Sequence, residues 1–128
     1  MPARILYVDD EDDIREIAQM SLELEPEFEV RSCASGVQAL ADAAEWRPDL
    51  ILLDVMMPDM DGPETLRRLA ASQPTASIPV VFITARTQTH EVDRYLNMGA
   101  VGVIAKPFDP LALAGEVRKL LSSAGGLA

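Results

Sequence analysis

The chain has 128 residues, the size of one ordinary domain, and 48% of them are hydrophobic, so we expect it to fold rather than stay disordered. Its 21 acidic and 11 basic residues give a net charge of −10, which argues against nucleic-acid phosphate or an anionic membrane as the main partner. The sequence contains no apolar run near the roughly 20 residues that span a bilayer, and its start lacks a signal-peptide layout. The single cysteine, Cys33, cannot form an internal disulfide, so we expect a reducing cytoplasmic location.

The first half of the chain alternates between predicted strands and helices. Residues 4–8 form a short apolar strand, and residues 12–25 follow with helical spacing. Residues 28–32 alternate between apolar and polar side chains, as a half-exposed edge strand does. Ser35 then begins a capping-box pattern and a second helix. The apolar positions that define the two helices are Ile14, Ile17, Ala18, Ser21 and Leu22, then Val37, Leu40, Ala41 and Ala44.

The second half repeats this alternation three times, with strands predicted at residues 50–53, 80–83 and 101–105. The helices that follow are marked by Gly62-Pro63 at the start of the third, Gly99 at the end of the fourth and Asp109-Pro110 at the start of the fifth. Three of the five strands are apolar throughout, which is typical of buried parallel strands. The pattern predicts an α/β domain over residues 1–122, with helices on both faces of a parallel sheet and a flexible tail over 123–128.

Polar residues follow four of the five predicted strands. They are Asp9 and Asp10 after the first strand, Asp54 after the third, Thr84 after the fourth and Lys106 after the fifth. Ligands of open α/β sheets bind outside the carboxyl ends of the strands, so we expect these side chains to meet. Three carboxylates would repel one another, and hard oxygen ligands without a His or Cys cluster favour Mg²⁺ over Zn²⁺ as the cation that relieves the repulsion. The single histidine, His90, is predicted on the surface of the fourth helix.

Asp54 is a candidate nucleophile toward phosphorus, because aspartate can accept a phosphoryl group to form an acyl phosphate. Mg²⁺ would bridge the reacting groups, Lys106 would stabilise the charge, and Thr84 would donate a hydrogen bond. Taken singly, each residue is more often a turn or cap residue. Four strands that each end in the residue type this chemistry requires seldom arise by accident.

The same residues carry a family resemblance. The segments ILYVDDE, DLILLDVMMPDMDG, VVFITA and KPF look like the receiver domain of bacterial response regulators, over about residues 4–122. The resemblance implies a doubly wound, flavodoxin-like sheet of five parallel strands in the order 2-1-3-4-5 with five flanking helices. It also implies that Asp54 is the phosphoacceptor, supplied by the phosphohistidine of a histidine kinase or a phosphotransfer protein.

The resemblance further implies which residues surround the phosphoryl group. The implied Mg²⁺ ligands are Asp9, Asp10 as the more direct of the pair, Asp54 and the backbone carbonyl of Met56. Thr84 and Lys106 would engage the phosphoryl oxygens, and the Lys106–Pro107 peptide would be cis, a conformation that proline tolerates.

Phosphorylation in this family shifts a conformational equilibrium and changes a surface that here corresponds to residues 87–121. An unknown downstream protein would bind there, and a homodimer through the same face is left open. Many receivers carry Tyr or Phe where this chain has Val103, which has no ring to swing. Tyr95 is interpreted as packing, with partial replacement of that ring as the alternative. Met56 and Arg86 occupy the two positions that tune phosphoryl lifetime, and we expect a fairly long-lived group.

The leading hypothesis is therefore a phosphorylation-controlled signalling module with self-phosphorylation, slow dephosphorylation and no separate substrate. The alternative is a phosphorylation-independent interaction domain that keeps the fold, which Val103 supports in part. A phosphatase of the haloacid dehalogenase type would need a second acid where Met56 stands. Flavin binding would place a phosphate against Asp9-Asp10-Glu11, which would repel it. The sequence does not decide between a stand-alone regulator, a phosphorelay intermediate and the receiver of a longer protein.

Overall fold

Strand and helix alternate five times along residues 2–124, the part of the chain that this computed structural model describes. The strands are β1 (Ala3–Val8), β2 (Phe28–Cys33), β3 (Leu50–Asp54), β4 (Val80–Thr84) and β5 (Gly102–Ala105). The helices are α1 (Asp12–Glu23), α2 (Gly36–Trp46), α3 (Gly62–Ala71), α4 (Thr89–Asn97) and α5 (Leu113–Ser123). All strand pairs are parallel and their order is β2-β1-β3-β4-β5, which confirms the predicted doubly wound, flavodoxin-like topology.

The sheet is covered on both faces, as its apolar strands require. Every residue of β3 and β4 is buried, whereas β2 alternates between buried and more exposed positions and lies at the edge, as predicted. Alternate side chains of one strand enter different cores, because successive residues of a strand point to opposite faces. Leu53 and Phe82 pack in the core that includes α2, α3 and α4, while Leu52 and Ile83 pack in the core with α1 and α5.

The buried face of α2 differs from the prediction. Val37 is 62% exposed, and the helix buries Ala39, Ala43 and Trp46 instead. Small alanines face the sheet, and the guanidinium groups of Arg4 and Arg31 lie 5.5 and 4.7 Å from the centre of the Trp46 ring. These cation–π contacts come from two strands distant in sequence, so the helical spacing alone could not reveal them.

One apolar position of α1 was also predicted wrongly. Ile17 is 47% exposed, whereas Ala18 and Leu22 are buried against the sheet. None of the helices in the described part of the chain has the length and apolar character that a bilayer crossing requires. Cys33 is buried at the end of β2, and burial raises the pKa of its thiol to about 12, which favours packing over thiol chemistry.

Two helix ends differ from the prediction: α1 ends at Glu23 rather than at residue 25, and α5 starts later than expected. Gly99 has a φ of 115° just after α4, which fits the predicted terminator because glycine tolerates this left-handed region. The helix that was expected from Pro110 begins at Leu113, because Asp109 accepts hydrogen bonds in a turn that precedes it. The helix α5 reaches Ser123, and residues 125–128 of the predicted tail lie outside the described residues.

Candidate functional site

Three carboxylates meet at the carboxyl ends of the two central strands. Asp9 follows β1 and Asp54 ends β3, and these neighbouring strands are in register at Val8 and Leu53. Carboxylate oxygens of Asp9, Glu11 and Asp54 lie within 4.8 Å of one another. Asp9 and Asp54 are 0% and 3% exposed, whereas Glu11 is at the surface. The arrangement concentrates negative charge where the sequence predicts a ligand site.

The ammonium group of Lys106 bridges all three carboxylates. Its Nζ donates to Asp9 Oδ2 at 3.1 Å, to Glu11 Oε1 at 3.0 Å and to Asp54 Oδ2 at 3.3 Å. Lys106 follows β5, which is separated from β3 by β4, so its long side chain reaches across the end of an intervening strand. Three donors on one ammonium are thereby matched with three acceptors.

Asp9 is held by further hydrogen bonds from its own strand and loop. The hydroxyl of the buried Tyr7 donates to Asp9 Oδ2 at 3.1 Å, and the backbone N–H of Glu11 donates to Asp9 Oδ1 at 3.0 Å. Arg15 of α1 donates from Nη1 to the Asp9 carbonyl at 2.8 Å. Burial, followed by the charge of Asp9, raises the pKa of Tyr7 far above its ordinary value, so the phenol stays a hydrogen-bond donor.

The electrostatics of the pocket reflect an excess of acid. Burial and then the charge of Asp9 raise the pKa of Asp54 to about 6, even though Lys106 and the Met56 N–H favour its ionised form. Partial burial alone would lower the pKa of Lys106, but hydrogen bonds to Glu11 and Asp9 outweigh it and raise that pKa above its usual range. The pocket therefore holds one ammonium group and three carboxylates, so the binding of a further cation would be favourable.

The donor set suits magnesium. Within residues 2–124, these three acids form the single cluster of His, Cys, Asp or Glu side chains close enough to share an ion, and all of its ligand atoms are carboxylate oxygens. Hard oxygen donors favour Mg²⁺ over Zn²⁺. The pocket is thus compatible with Mg²⁺, as the sequence predicts.

The acid that lies close to both Asp9 and Asp54 is Glu11. Asp10, predicted as the more direct Mg²⁺ ligand, is half-buried and lies outside the group of three, and its role as a ligand stays a prediction. In the sequence, Glu11 was considered as part of the acidic run Asp9-Asp10-Glu11 that would repel a flavin phosphate, and it was missed as a site residue. The available signal was its position directly after Asp9 and Asp10, in a loop at the carboxyl edge of the sheet.

The loop after Asp54 brings the backbone close to the Asp54 carboxylate. The Met56 N–H donates to Asp54 Oδ1 at 3.4 Å, and the Met56 side chain is mostly exposed. Gly62 starts α3 against this loop, and its N–H donates to the Val55 carbonyl at 2.9 Å. A Cβ at Gly62 would lie 2.6 Å from the Asp54 carbonyl oxygen, so this close approach requires glycine.

Thr84 is buried at the end of β4, the strand next to β3. Its Oγ1 accepts a hydrogen bond from the Arg86 N–H at 3.0 Å, which leaves the hydroxyl proton for another acceptor. The Arg86 side chain is 71% exposed, and its Nη1 lies 3.9 Å from Glu91 Oε2. The Lys106–Pro107 peptide is cis, as predicted.

Val103 and Tyr95 differ in their burial. Val103 is half-buried and packs against the core that includes Phe82. Tyr95 is buried, with its ring edge-on to Phe82 at a centroid distance of 5.2 Å. Its aromatic packing matches the interpretation of Tyr95 as a core residue.

A family model and curated relatives match the sequence of this chain. The family model "Response regulator receiver domain" matches residues 5–118. The DNA-binding response regulator MtrA of Mycolicibacterium paratuberculosis is 40% identical over 121 residues, covering 94% of this chain and 52% of the relative. The response regulator Rre1 of Synechocystis sp. is 37% identical with the same coverage. The chain thus spans about half the length of these curated relatives.

Solved structures show the same fold over nearly the full chain. The chemotaxis protein CheY4 of Vibrio cholerae has a TM-score of 0.86 and 31% identity, covering 94% of this chain and 99% of that one. The receiver domain of a signal transduction histidine kinase from Syntrophus aciditrophicus has a TM-score of 0.80 and 34% identity, covering 94% and 91%. Receiver domains are signalling modules without a separate substrate, and they interact with histidine kinases or phosphotransfer proteins. The strand order, the acids at the strand ends and the match over residues 5–118 show that the chain belongs to the response regulator receiver domain family.

Proposed function

We propose that this chain is a phosphorylation-controlled signalling module in which Asp54 accepts a phosphoryl group from the phosphohistidine of a histidine kinase or phosphotransfer protein. The observation that carries the proposal is the buried Asp54 carboxylate, 3.3 Å from the Lys106 ammonium and clustered with Asp9 and Glu11. A fold that needed no phosphate would gain nothing from burying two mutually repelling acids.

The reaction requires the ionised form of Asp54. An oxygen of Asp54 would attack phosphorus as the phosphorus–nitrogen bond to histidine breaks, giving an acyl phosphate and a neutral imidazole after proton uptake. With a pKa of about 6, Asp54 is mostly ionised at neutral pH and ready to attack. Self-phosphorylation and slow dephosphorylation, without turnover of another substrate, complete the proposed activity.

Mg²⁺ would neutralise charge on the transferring phosphoryl group when it is bound. The residues that would hold it are Asp9, Asp10, Asp54 and the backbone carbonyl of Met56. Carboxylate and carbonyl oxygens are the donors that Mg²⁺ prefers, and it keeps several waters besides them. The excess of carboxylates over ammonium groups in the pocket supports this assignment.

Lys106 and Thr84 would recognise the phosphorylated state. Lys106 already contacts Asp54 and can pair with an oxygen of the new phosphoryl group. Thr84 retains a free hydroxyl proton for a second oxygen. Their strands are linked directly, because the Lys106 N–H donates to the Thr84 carbonyl at 2.9 Å, so a shift of one residue bears on the other.

The output of the switch would be the surface formed by residues 87–121. It exposes apolar side chains around α4 and β5, among them Leu96, Met98 and Val101. We propose that an unknown downstream protein binds this surface, and a homodimer through it stays open. Val103 replaces the usual aromatic residue, so the change would pass through Thr84 and β5 rather than through a swinging ring.

The absence of nucleic acid among the direct partners stays a prediction. MtrA is named a DNA-binding response regulator, and the chain covers 52% of it, so DNA binding by the relative does not assign DNA contacts to these residues. The net charge of −10 supports protein contacts instead. A receiver domain over residues 1–122, a tail over 123–128 and a cytoplasmic location without membrane contact belong to the same proposal.

The test is intact-mass analysis after incubation with acetyl phosphate, with and without Mg²⁺. Wild type should gain the mass of one phosphoryl group only with Mg²⁺, and Asp54→Asn should gain none. Asp59→Asn, in the same loop, is the matched control and should label normally. Labelling of Asp54→Asn at an unchanged rate would show that another residue is the acceptor. No transfer to wild type from acetyl phosphate or from a phosphorylated kinase domain would favour the phosphorylation-independent interaction domain.

A further inference from the structure

Glu11 differs from the other two partners of Lys106. The Asp9 and Asp54 carboxylates are buried, whereas the Glu11 side chain is 57% exposed at the rim of the pocket. Its contact with Lys106, at 3.0 Å, is nevertheless the shortest of the three. The ammonium is therefore held as closely from the rim as from the interior.

The geometry of Asp9 and Asp54 creates a conflict between two cations. Lys106 Nζ contacts Asp9 Oδ2 and Asp54 Oδ2, and the same two carboxylates belong to the group of acids close enough to share an ion. Two cations on the same pair of carboxylates would repel strongly at such distances. Binding of a metal between these acids would therefore favour withdrawal of Lys106 from both aspartates.

The Glu11 carboxylate is an alternative hydrogen-bond partner for the Lys106 ammonium. The backbone N–H of Glu11 is anchored to Asp9 Oδ1 at 3.0 Å, which fixes the start of its side chain beside the pocket. Its carboxylate already contacts the ammonium, so Lys106 can release two partners and keep the third. A fully solvated lysine would instead lose its orientation toward the acceptor.

We propose that Glu11 is a positioning residue: it retains Lys106 at the rim of the pocket when a divalent cation takes the Asp9 and Asp54 oxygens. This inference rests on the proposed function of the pocket. Glu11 need not touch the metal or the phosphoryl group, since it acts through Lys106. By giving the ammonium an alternative partner, it weakens the competition between Lys106 and the cation.

A double-mutant cycle on Mg²⁺ affinity tests the coupling. Glu11→Gln should weaken Mg²⁺ binding about tenfold, because the ammonium then depends more on Asp9 and Asp54. In a Lys106→Met background the same substitution should weaken it only about twofold, the effect of losing one exposed charge nearby. Asp13→Asn, two residues away and exposed, gives the size of that general charge effect in both backgrounds.

A second readout observes Lys106 itself and needs no change at that residue. The sequence contains two lysines, Lys106 and Lys119, so protein labelled with ¹³C and ¹⁵N in lysine gives two side-chain ammonium signals. Lys119 is exposed and serves as an internal reference. With saturating Mg²⁺, the Lys106 signal of wild type should stay distinct from that of Lys119, as for a hydrogen-bonded ammonium. In Glu11→Gln it should move to the solvated position.

The outcomes separate this inference from the function on which it rests. If Mg²⁺ binds and Asp54 is phosphorylated, but Glu11→Gln has equal effects in both backgrounds, Glu11 acts as a ligand or a plain charge and the positioning role is wrong. An Mg²⁺-loaded variant whose Lys106 signal matches wild type would also overturn it. If no variant binds Mg²⁺ and wild type forms no acyl phosphate, the proposed function itself fails, and the inference with it.

Discussion

Replacing Asp54, the proposed phosphoacceptor, by asparagine should make the metal-free protein more stable at neutral pH. The side chain is buried beside Asp9, and burial together with that neighbouring charge raises its pKa from 3.8 to about 6. A carboxyl group whose pKa is higher in the folded state loses free energy when it ionises in the fold. Asparagine keeps nearly the same shape without the charge.

The size of the gain follows from the shift in the pKa of Asp54. The raised pKa corresponds to roughly 3 kcal/mol against the folded state once the group is fully ionised, at ~1.4 kcal/mol per pKa unit. This figure already includes the attraction between Asp54 and Lys106, which is one of the causes of the pKa. The expected increase in the free energy of unfolding is about 3 kcal/mol, or about 10 °C in melting temperature for a chain of this size.

The gain should depend on pH in a defined direction. Below the ordinary pKa of 3.8 Asp54 is protonated in both the folded and unfolded states, so it contributes no penalty. As pH rises through the window from 3.8 to about 6, the unfolded state releases its proton first and the wild-type fold loses stability. The difference between variant and wild type should therefore grow across this window and level off above it.

Urea denaturation followed by circular dichroism, in EDTA and between about pH 4 and pH 8, would measure this difference. Asp93→Asn, on the exposed face of α4, removes one charge without touching the pocket and should show no such pH dependence. Added Mg²⁺ should stabilise wild type more than Asp54→Asn and narrow the gap. An Asp54→Asn protein that is less stable than wild type at neutral pH, or more stable by a pH-independent amount, would refute the reasoning.

Three other substitutions test the pocket. Lys106→Met should lower the free energy of unfolding in EDTA by roughly 3 kcal/mol, because the clustered acids lose their counter-charge. Added Mg²⁺ should restore most of this stability, as measured by thermal denaturation. Gly62→Ala should cost about 2 kcal/mol in urea denaturation because its Cβ meets the Asp54 carbonyl, whereas Gly115→Ala, with nothing within 4 Å, should be neutral or stabilising. Asp10→Asn should weaken Mg²⁺ binding about tenfold in calorimetric titration; an unchanged affinity would remove Asp10 from the metal site.

The fold was predictable to the extent that local sequence determines it. Strands β3 and β4 are apolar throughout because both of their faces are buried. Strand β2 alternates because one of its faces is more exposed at the edge of the sheet. The strand order came from the family resemblance. The rotation of α2 was predicted wrongly because it depends on where Trp46 meets Arg4 and Arg31, which no helical period encodes.

The pocket was predictable for a different reason. Asp54, Thr84 and Lys106 end their strands or directly follow them, and parallel strands deliver such residues to one edge. Glu11 escaped because its part in the pocket depends on contact with a lysine 95 residues away in sequence. A loop side chain that reaches a distant partner leaves no periodic signal, so a structure is needed to find it.

The position of Trp46 determines which optical experiments can report on this protein. It is the single tryptophan of the chain, and it contacts Arg4 near the start of β1, whereas Asp9 follows the end of that strand. Five residues of extended strand separate the two levels by about 16 Å. A metal ion or phosphoryl group at the pocket would therefore be too distant to quench the indole by contact. Any change in Trp46 fluorescence on phosphorylation would be an indirect signal, transmitted through β1 or α2 to the amino-terminal ends of the strands.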